Sequence, residues 1–204
     1  MMIVMNLSKQ KLLDLLKERV EKELDCSLKK EANNLVFGKG SSDAEIFFIG
    51  EAPGKEEDLQ GIPFVGRSGK ELDKQLRRID LSLDEVYIAN ILKYRPPKNR
   101  NPTSKEIQKH TPYLIEQINI IKPKYLVTLG NYATKFVLSG FSQKGMSKIE
   151  GIASLHGRKA EVVYEEKTYF VFPIYHPAAM MYNGKVRGLF EKDFLILASL
   201  LSEK

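Results

Sequence analysis

The chain has 204 residues, 43% of them hydrophobic, which is enough for one well-buried core and short for two. No apolar run reaches the roughly 18 residues of a membrane-spanning helix, and the first seven residues lack the basic start and the cleavage site of a signal peptide. The net charge of +6 makes a polyanion a sensible partner, although many basic proteins never bind one.

Cysteine usage indicates a reducing compartment. Cys26 is the only cysteine, so the chain can form neither an intrachain disulfide nor a four-cysteine metal site. We therefore expect a soluble, intracellular protein of the cytoplasm or nucleoid, and a monomer. Neither a repeat nor a linker interrupts the sequence, which predicts one domain over residues 1–204, with residues 1–35 as a helical extension packed on it.

The predicted elements begin with a helix that Ser8 caps and that runs to about Leu24. Its expected apolar stripe consists of Leu12, Leu15, Leu16 and Val20. Runs dense in Ile, Val, Phe and Tyr then predict strands covered on both faces, at residues 44–49, 86–92, 125–129 and 169–175. Residues 159–163 and 167–171 could form a hairpin at one edge.

Amphipathic segments between these strands predict helices, at residues 72–79, 103–121, 131–138 and 189–201. Thr103 opens the second of them with a capping box, and Pro112 should kink or restart it. This alternation predicts an α/β fold, a three-layer α/β/α sandwich with a central, mostly parallel four-stranded sheet. Ligands of such sheets bind at the carboxyl ends of the strands, where three motifs follow.

The first motif is a glycine-rich stretch after the first predicted strand. It runs from Gly50 to Asp58, continues from Gly61 to Gly69, and contains Phe64. Glycine lets a backbone approach a ligand closely, and proline fixes φ, so such a loop can hold N–H groups toward a flat heterocycle or a phosphate. The alternative is an ordinary glycine-rich surface connection.

The second motif, Asn90 to Pro102, combines an amide with a basic, proline-stiffened loop. The amide of Asn90 offers a donor and an acceptor side by side, as the edge of a pyrimidine base requires. The basic residues predict a grip on DNA phosphates: Lys93, Arg95, Lys98 and Arg100. A solvated basic loop with a turn-forming Asn is the alternative.

The third motif, Tyr175 to Asn183, follows the last predicted strand and places His176 at the expected ligand crevice. A lone histidine is more often structural than catalytic. The next residues, Met180, Met181 and Tyr182, are usually core residues, but they could also form a wedge that enters the base stack of DNA.

Together these motifs resemble the uracil-DNA glycosylase superfamily, and specifically its family-4 enzymes. The resemblance extends from about Val36 to the end of the chain. Its four most specific pieces are Gly50-Glu51-Ala52-Pro53-Gly54, Pro63-Phe64-Val65-Gly66, Asn90 with Arg95 to Thr103, and His176-Pro177-Ala178. The order of these four pieces argues against an accidental match, so the implied partner is DNA containing uracil. A sliding clamp or another repair protein as partner is left open.

The resemblance implies how a uracil base would be held. Phe64 would stack on the extruded base, Asn90 would read its pyrimidine edge, and the backbone from Gly50 to Ala52 would help to enclose it. His176 would donate a hydrogen bond to uracil O2 as negative charge builds on the leaving base.

The catalytic set implied in this way is His176, Asn90 and Glu51. In superfamily members with an acidic catalytic residue in the first motif, Asp follows the residue equivalent to Glu51, whereas this chain has Ala52. Glu51 is therefore assigned to the site without a role in proton transfer.

Family-4 enzymes usually bind a [4Fe–4S] cluster through four cysteines. Matching the flanking residues puts those positions at Glu23, Cys26, Tyr94 and His110. Only Cys26 remains, and one thiolate cannot hold such a cluster. We expect no cluster and no other metal or cofactor, with Tyr94 and the first helix packing in its place.

Two other functions compete with this interpretation. A catalytically weakened DNA-binding or scaffold protein with a glycosylase fold would explain the lost cysteines, but it would not need Phe64, Asn90 and His176 together. A nucleotide or phosphate-ester enzyme would need a phosphate-binding sequence such as Gly-Lys-Ser/Thr or Gly-x-Gly-x-x-Gly, which the chain lacks.

Overall fold

The computed structural model describes residues 7–202, apart from the side chain of Tyr182. These residues form a six-stranded sheet with the order β1-β3-β2-β4-β6-β5. The strands are β1 (Lys39–Gly40), β2 (Ile46–Gly50), β3 (Tyr87–Asn90), β4 (Tyr125–Leu129), β5 (Ala160–Tyr164) and β6 (Lys167–Ile174).

The helices connect and cover these strands. They are α1 (Lys9–Glu23), α2 (Ser27–Glu31), α3 (Lys55–Gln60), α4 (Arg67–Arg78), α5 (Ser104–Ile121), α6 (Gly130–Leu138), α7 (Ile152–Leu155), α8 (Pro177–Tyr182) and α9 (Gly184–Ser202). Short 3-10 helices span Pro97–Asn99 and Gln143–Lys148.

The sheet separates two hydrophobic layers, because alternate residues of a strand face opposite sides. In β2, Phe47 and Ile49 join a core formed with α1, α5 and α6. Ile46 and Phe48 join the opposite core, formed with α4 and α9. The predicted α/β/α sandwich is confirmed.

The central four strands are parallel, and the two edge strands are antiparallel. β2 pairs in parallel with β3 and β4, and β4 pairs in parallel with β6. β1 and β5 add the edges, so the prediction of four strands was too low by two. The pattern missed β1 because this strand has two residues and almost no apolar character. The hairpin predicted at one edge is confirmed by β5 and β6.

The first helix differs from its predicted stripe. Ser8 caps it as expected, accepting a hydrogen bond from the N–H of Lys11. Its buried side chains are Leu13, Leu16 and Val20, whereas Leu12 and Leu15 are exposed. Spacings of three and four residues repeat on one side of a helix, and Leu13 rather than Leu12 completes that series toward Leu24.

Pro112 does not restart α5 as a second helix, so that part of the prediction is wrong. The helix runs continuously from Ser104 to Ile121, and Pro112 lies on its exposed side. The capping box at Thr103 is confirmed. Burial of Leu114 and Ile118 beyond the proline stabilises the helix against the loss of one backbone hydrogen bond. Between Leu7 and Ser202, none of the helices has the length and apolarity needed to cross a bilayer.

Two valines of the sheet differ in burial, so replacing each by alanine should lower the free energy of unfolding by different amounts. Val127 in β4 is fully buried, whereas Val163 in β5 is 68% exposed. Val127→Ala should lower the free energy of unfolding by about 2–3 kcal/mol, because it removes buried methyl groups and leaves a cavity. Val163→Ala should cost less than about 1 kcal/mol. Urea denaturation measures both, and equal losses would contradict the assignment of β4 to the core.

Candidate active site

A cleft of about 500 Å³ opens at the carboxyl ends of the parallel strands. Gly50 ends β2, Asn90 ends β3, and the two residues are paired in register. His176 follows β6 as the N-cap of α8. All three lie at the cleft or in its wall, together with Glu51, Ala52, Phe64, Arg100 and Met181. The sequence motifs therefore converge on one cavity.

Gly50 is required by the close approach of two side chains. A Cβ atom at this position would lie 2.2 Å from Asn90 Oδ1 and 2.8 Å from the Phe64 ring. Both distances are too short for any side chain, so only glycine allows Phe64 and Asn90 to converge here.

The Phe64 ring faces His176 across the cleft, with 6.2 Å between the ring centroids and 35° between the planes. Phe64 has a φ of 53°, which is costly for a non-glycine residue. Gly69 permits this conformation, because a Cβ atom there would lie 1.9 Å from the Phe64 carbonyl oxygen. The two rings are therefore close to each other in the wall of the cleft.

Asn90 offers an unused hydrogen-bond acceptor. The residue is 2% exposed, and its Oδ1 has no hydrogen-bond partner within residues 7–202. A buried polar atom without a partner costs about 1–3 kcal/mol, so Asn90 Oδ1 is available to accept a hydrogen bond from a molecule in the cleft. The amide can donate through Nδ2 and accept through Oδ1 along one edge of that ligand.

His176 has a defined tautomer. The N–H of Ala178 donates to His176 Nδ1 over 3.2 Å, so the ring proton is on Nε2. Burial lowers the pKa of His176 to about 4, and the nearby Glu57 carboxylate only partly opposes this. The imidazole is therefore neutral near pH 7 and can donate one hydrogen bond through Nε2.

Glu51 is half-buried at the cleft, and burial raises the pKa of its carboxyl group. Ala52 also lines the cleft and brings no acid of its own.

Glu57 organises the site, although the sequence analysis did not select it. Its carboxylate accepts hydrogen bonds from the N–H groups of Gly54 at 3.1 Å, Val65 at 3.0 Å and Gly66 at 2.8 Å. These bonds connect the first loop to the segment that carries Phe64. The Gly54-x-x-Glu57 spacing, typical of a helix start, was the available signal.

The prediction that Lys93 contacts DNA phosphates is wrong. Its side chain is fully buried, and Nζ donates to Gln117 Oε1 at 2.6 Å, so it cannot reach a phosphate in this conformation. The prediction failed because Lys93 precedes the exposed part of the loop.

The other basic residues of the grip lie on the loop as expected. Arg95 is half-buried and donates from Nε to Asn99 Oδ1 at 2.7 Å, whereas Lys98 is exposed. Arg100 lines the cleft and binds Glu106 with two hydrogen bonds, which lower the pKa of that carboxyl group to about 2. Contact of these residues with DNA stays a prediction.

The predicted wedge is only partly accessible. Met180 is 2% exposed within the core beside α9, so it cannot enter a base stack, and that part of the prediction is wrong. Met181 is half-buried and lines the cleft. The side chain of Tyr182 lies outside the described residues, and its role stays a prediction.

Comparison with known proteins identifies the family. The sequence profile of the uracil DNA glycosylase superfamily matches residues 37–197, which include all three motifs. The chain belongs to the uracil DNA glycosylase superfamily.

Individual relatives cover most of the chain. A type-4 uracil-DNA glycosylase of Sulfurisphaera tokodaii is 44% identical over 89% of this chain and 81% of its own length. The type-4 enzyme of Archaeoglobus fulgidus is 42% identical over 88% of each chain. The type-4 enzyme of Thermotoga maritima is 38% identical over 86% of each chain.

The positions that correspond to the family-4 cluster ligands do not fit a [4Fe–4S] cluster. Cys26 is buried and is the one thiol among these positions, and a single thiolate cannot hold such a cluster. His110 Nδ1 is occupied by the N–H of Lys93 at 2.9 Å, and the buried Tyr94 ring meets His110 edge-on. Glu23 is largely exposed. Among the described residues, no three His, Cys, Asp or Glu side chains converge as metal ligands would.

The hydrogen bonds of Glu57 predict a local loss of order in Glu57→Ala. Without the carboxylate, the amides of Gly54, Val65 and Gly66 lose their acceptor, and hydrogen exchange at Val65 and Gly66 should accelerate roughly tenfold or more. Glu56→Ala, at the exposed neighbouring position, is the control and should leave the exchange unchanged. Unchanged protection in Glu57→Ala would show that Phe64 is held by other contacts.

Proposed function

We propose that this protein is a uracil-DNA glycosylase, which hydrolyses the N-glycosidic bond of deoxyuridine in DNA and releases uracil to leave an abasic site. The observation that carries the proposal is the buried Oδ1 of Asn90, which lacks a partner among the described residues and lies beside the ring of Phe64. The names of the type-4 relatives support the same reaction.

Recognition depends on the base leaving the helix, because its edge is otherwise occupied by pairing. In the cleft, the base stacks on Phe64, its N3–H donates to Asn90 Oδ1, and its O4 accepts from Asn90 Nδ2. Cytosine presents an acceptor at N3 and a donor at position 4, so it mismatches both groups in this orientation of the amide. The backbone from Gly50 to Ala52 closes the floor of the pocket.

Bond cleavage proceeds through an oxocarbenium-like sugar. The electron pair of the C1′–N1 bond leaves with uracil, and charge accumulates on O2. His176 donates to O2 through Nε2–H as a neutral imidazole. Water adds to C1′ as its hydroxyl group, and the second proton of that water passes through solvent to the uracil anion. Glu51 lines the cleft, and we assign it no proton.

DNA binding uses the exposed side of the second motif. Arg95, Lys98 and Arg100 lie next to the cleft, and their charges suit the phosphates on either side of the extruded nucleotide. Met181 lines the cleft, and we assign it a contact with the base next to the extruded nucleotide.

Excision of uracil from an oligonucleotide with a single deoxyuridine tests the proposal. After alkali treatment, the wild-type protein should break the strand at uracil and not at thymine in the same position. His176→Ala should slow excision by two to three orders of magnitude, because loss of one such donor typically costs about 2.7–4 kcal/mol in the transition state. Asn90→Ala should also be slow, because it removes both bonds to the base.

Asn119→Ala is the matched control, since Asn119 lies on α5 and its amide bonds only to the hydroxyl group of Tyr169 among the described residues. It should excise uracil at the wild-type rate. Near-normal turnover in His176→Ala would remove His176 from the mechanism. Binding of the oligonucleotide by the wild-type protein without strand breakage would instead favour a DNA-binding or scaffold protein.

We also propose that the protein works without an iron–sulfur cluster. Protein prepared anaerobically should show no iron-dependent absorbance near about 400 nm. Cys26→Ala should keep full excision activity and lose a little stability, because Cys26 acts only as a small buried side chain. Iron-dependent absorbance that disappears in Cys26→Ala would contradict this.

A further inference from the structure

Lys93 has an unusual environment for a lysine. It is fully buried three residues after Asn90, and burial lowers the pKa of its amine to about 7. Its Nζ donates to Gln117 Oε1 at 2.6 Å, to the main-chain oxygen of Asn90 at 3.0 Å and to that of Phe37 at 3.4 Å. An ammonium group has three donors, so all three are matched to acceptors.

Such a group is costly for stability alone. Removing an ammonium from water costs several kcal/mol, and an apolar side chain of similar volume is often neutral or stabilising in its place. The amide of Gln117 is also fully hydrogen-bonded, because its Nε2 donates to the main-chain oxygen of Phe37 at 3.0 Å and to Tyr87 Oη at 3.2 Å. Because burial of this lysine is unfavourable for stability, we look for its role in the oxygen atoms to which its amine donates.

The atom that connects Lys93 to the cleft is the main-chain oxygen of Asn90. The bond from Nζ to this oxygen closes a short turn where the chain leaves β3. The Asn90 side chain cannot be held by its own Oδ1, since that atom has no partner among residues 7–202. The direction of the carboxamide therefore depends on the backbone of Asn90 and on its packing beside Gly50 and Phe64.

The backbone of Lys93 is fixed as well. Its N–H donates to His110 Nδ1 at 2.9 Å, and its carbonyl oxygen accepts from the N–H of Val36 at 2.9 Å. With both backbone groups and the amine bound, Lys93 is a rigid support for the end of β3.

We propose that Lys93 is a positioning residue for base recognition, whose amine holds the Asn90 main chain so that the carboxamide faces the base in the cleft. This inference rests on the proposed function, and it assigns Lys93 no contact with the base or with DNA.

Lys93→Met tests the role, because methionine is similar in shape and has no donor. Excision of uracil, measured as kcat/KM, should fall about 10- to 100-fold, as expected for a lost hydrogen bond to a charged group. In an Asn90→Ala background the same substitution should change kcat/KM by less than about twofold, because residues that act through one another are not additive.

Free uracil as an inhibitor provides a second measurement that a general loss of stability would not change. Its inhibition constant should rise in Lys93→Met as it does in Asn90→Ala. Val127→Ala, which destabilises the core away from the cleft, should leave the inhibition constant and kcat/KM unchanged at a temperature where it is folded. If Lys93→Met does not fold, Lys93→Gln serves in the same cycle, since its amide is one bond too short for the Asn90 oxygen.

Additive effects of Lys93→Met and Asn90→Ala, or an unchanged inhibition constant, would overturn the positioning role and leave the proposed function intact. Absence of uracil excision by the wild-type protein would overturn the proposed function and this inference with it.

Discussion

The candidate site depends on the parallel pairing of β2 with β3. This register sets Gly50 beside Asn90, and the missing side chain of Gly50 leaves the space into which Asn90 Oδ1 and the Phe64 ring extend. A shift by one residue would turn Asn90 to the other face of the sheet. Buried aliphatic and aromatic residues on both faces of β2 fix that register, so the hydrophobic cores determine the geometry of the cleft.

The sequence was most informative for residues whose side-chain chemistry and place near a strand end both indicate the cleft. Asn90 and His176 could be placed at the cleft because each lies at or near the end of an apolar run, and the carboxyl ends of parallel strands meet at one edge. Phe64 was found because it lies between glycines in a recognisable motif. The layers of the fold followed from the alternation of strand-like and helical segments.

The wrong or missed predictions concern residues whose burial or hydrogen-bond partners depend on distant parts of the chain. Lys93 looks like a surface lysine, since nothing local reveals that Gln117, 24 residues further along, accepts a bond from its amine. The spacing from Gly54 indicates only that Glu57 starts a helix, because its two other partners are amides in the next loop. Leu12 and Leu13 have the same chemistry, and the packing of α1 against α5 decides which of them is buried.

The bond from Ala178 to His176 has a consequence for repeated turnover. An imidazole that gave its proton to the departing base would have to be recharged from solvent before the next lesion. In the proposed mechanism the ring lends its N–H dipole and keeps its proton, so the imidazole is ready for the next lesion as soon as the products diffuse away.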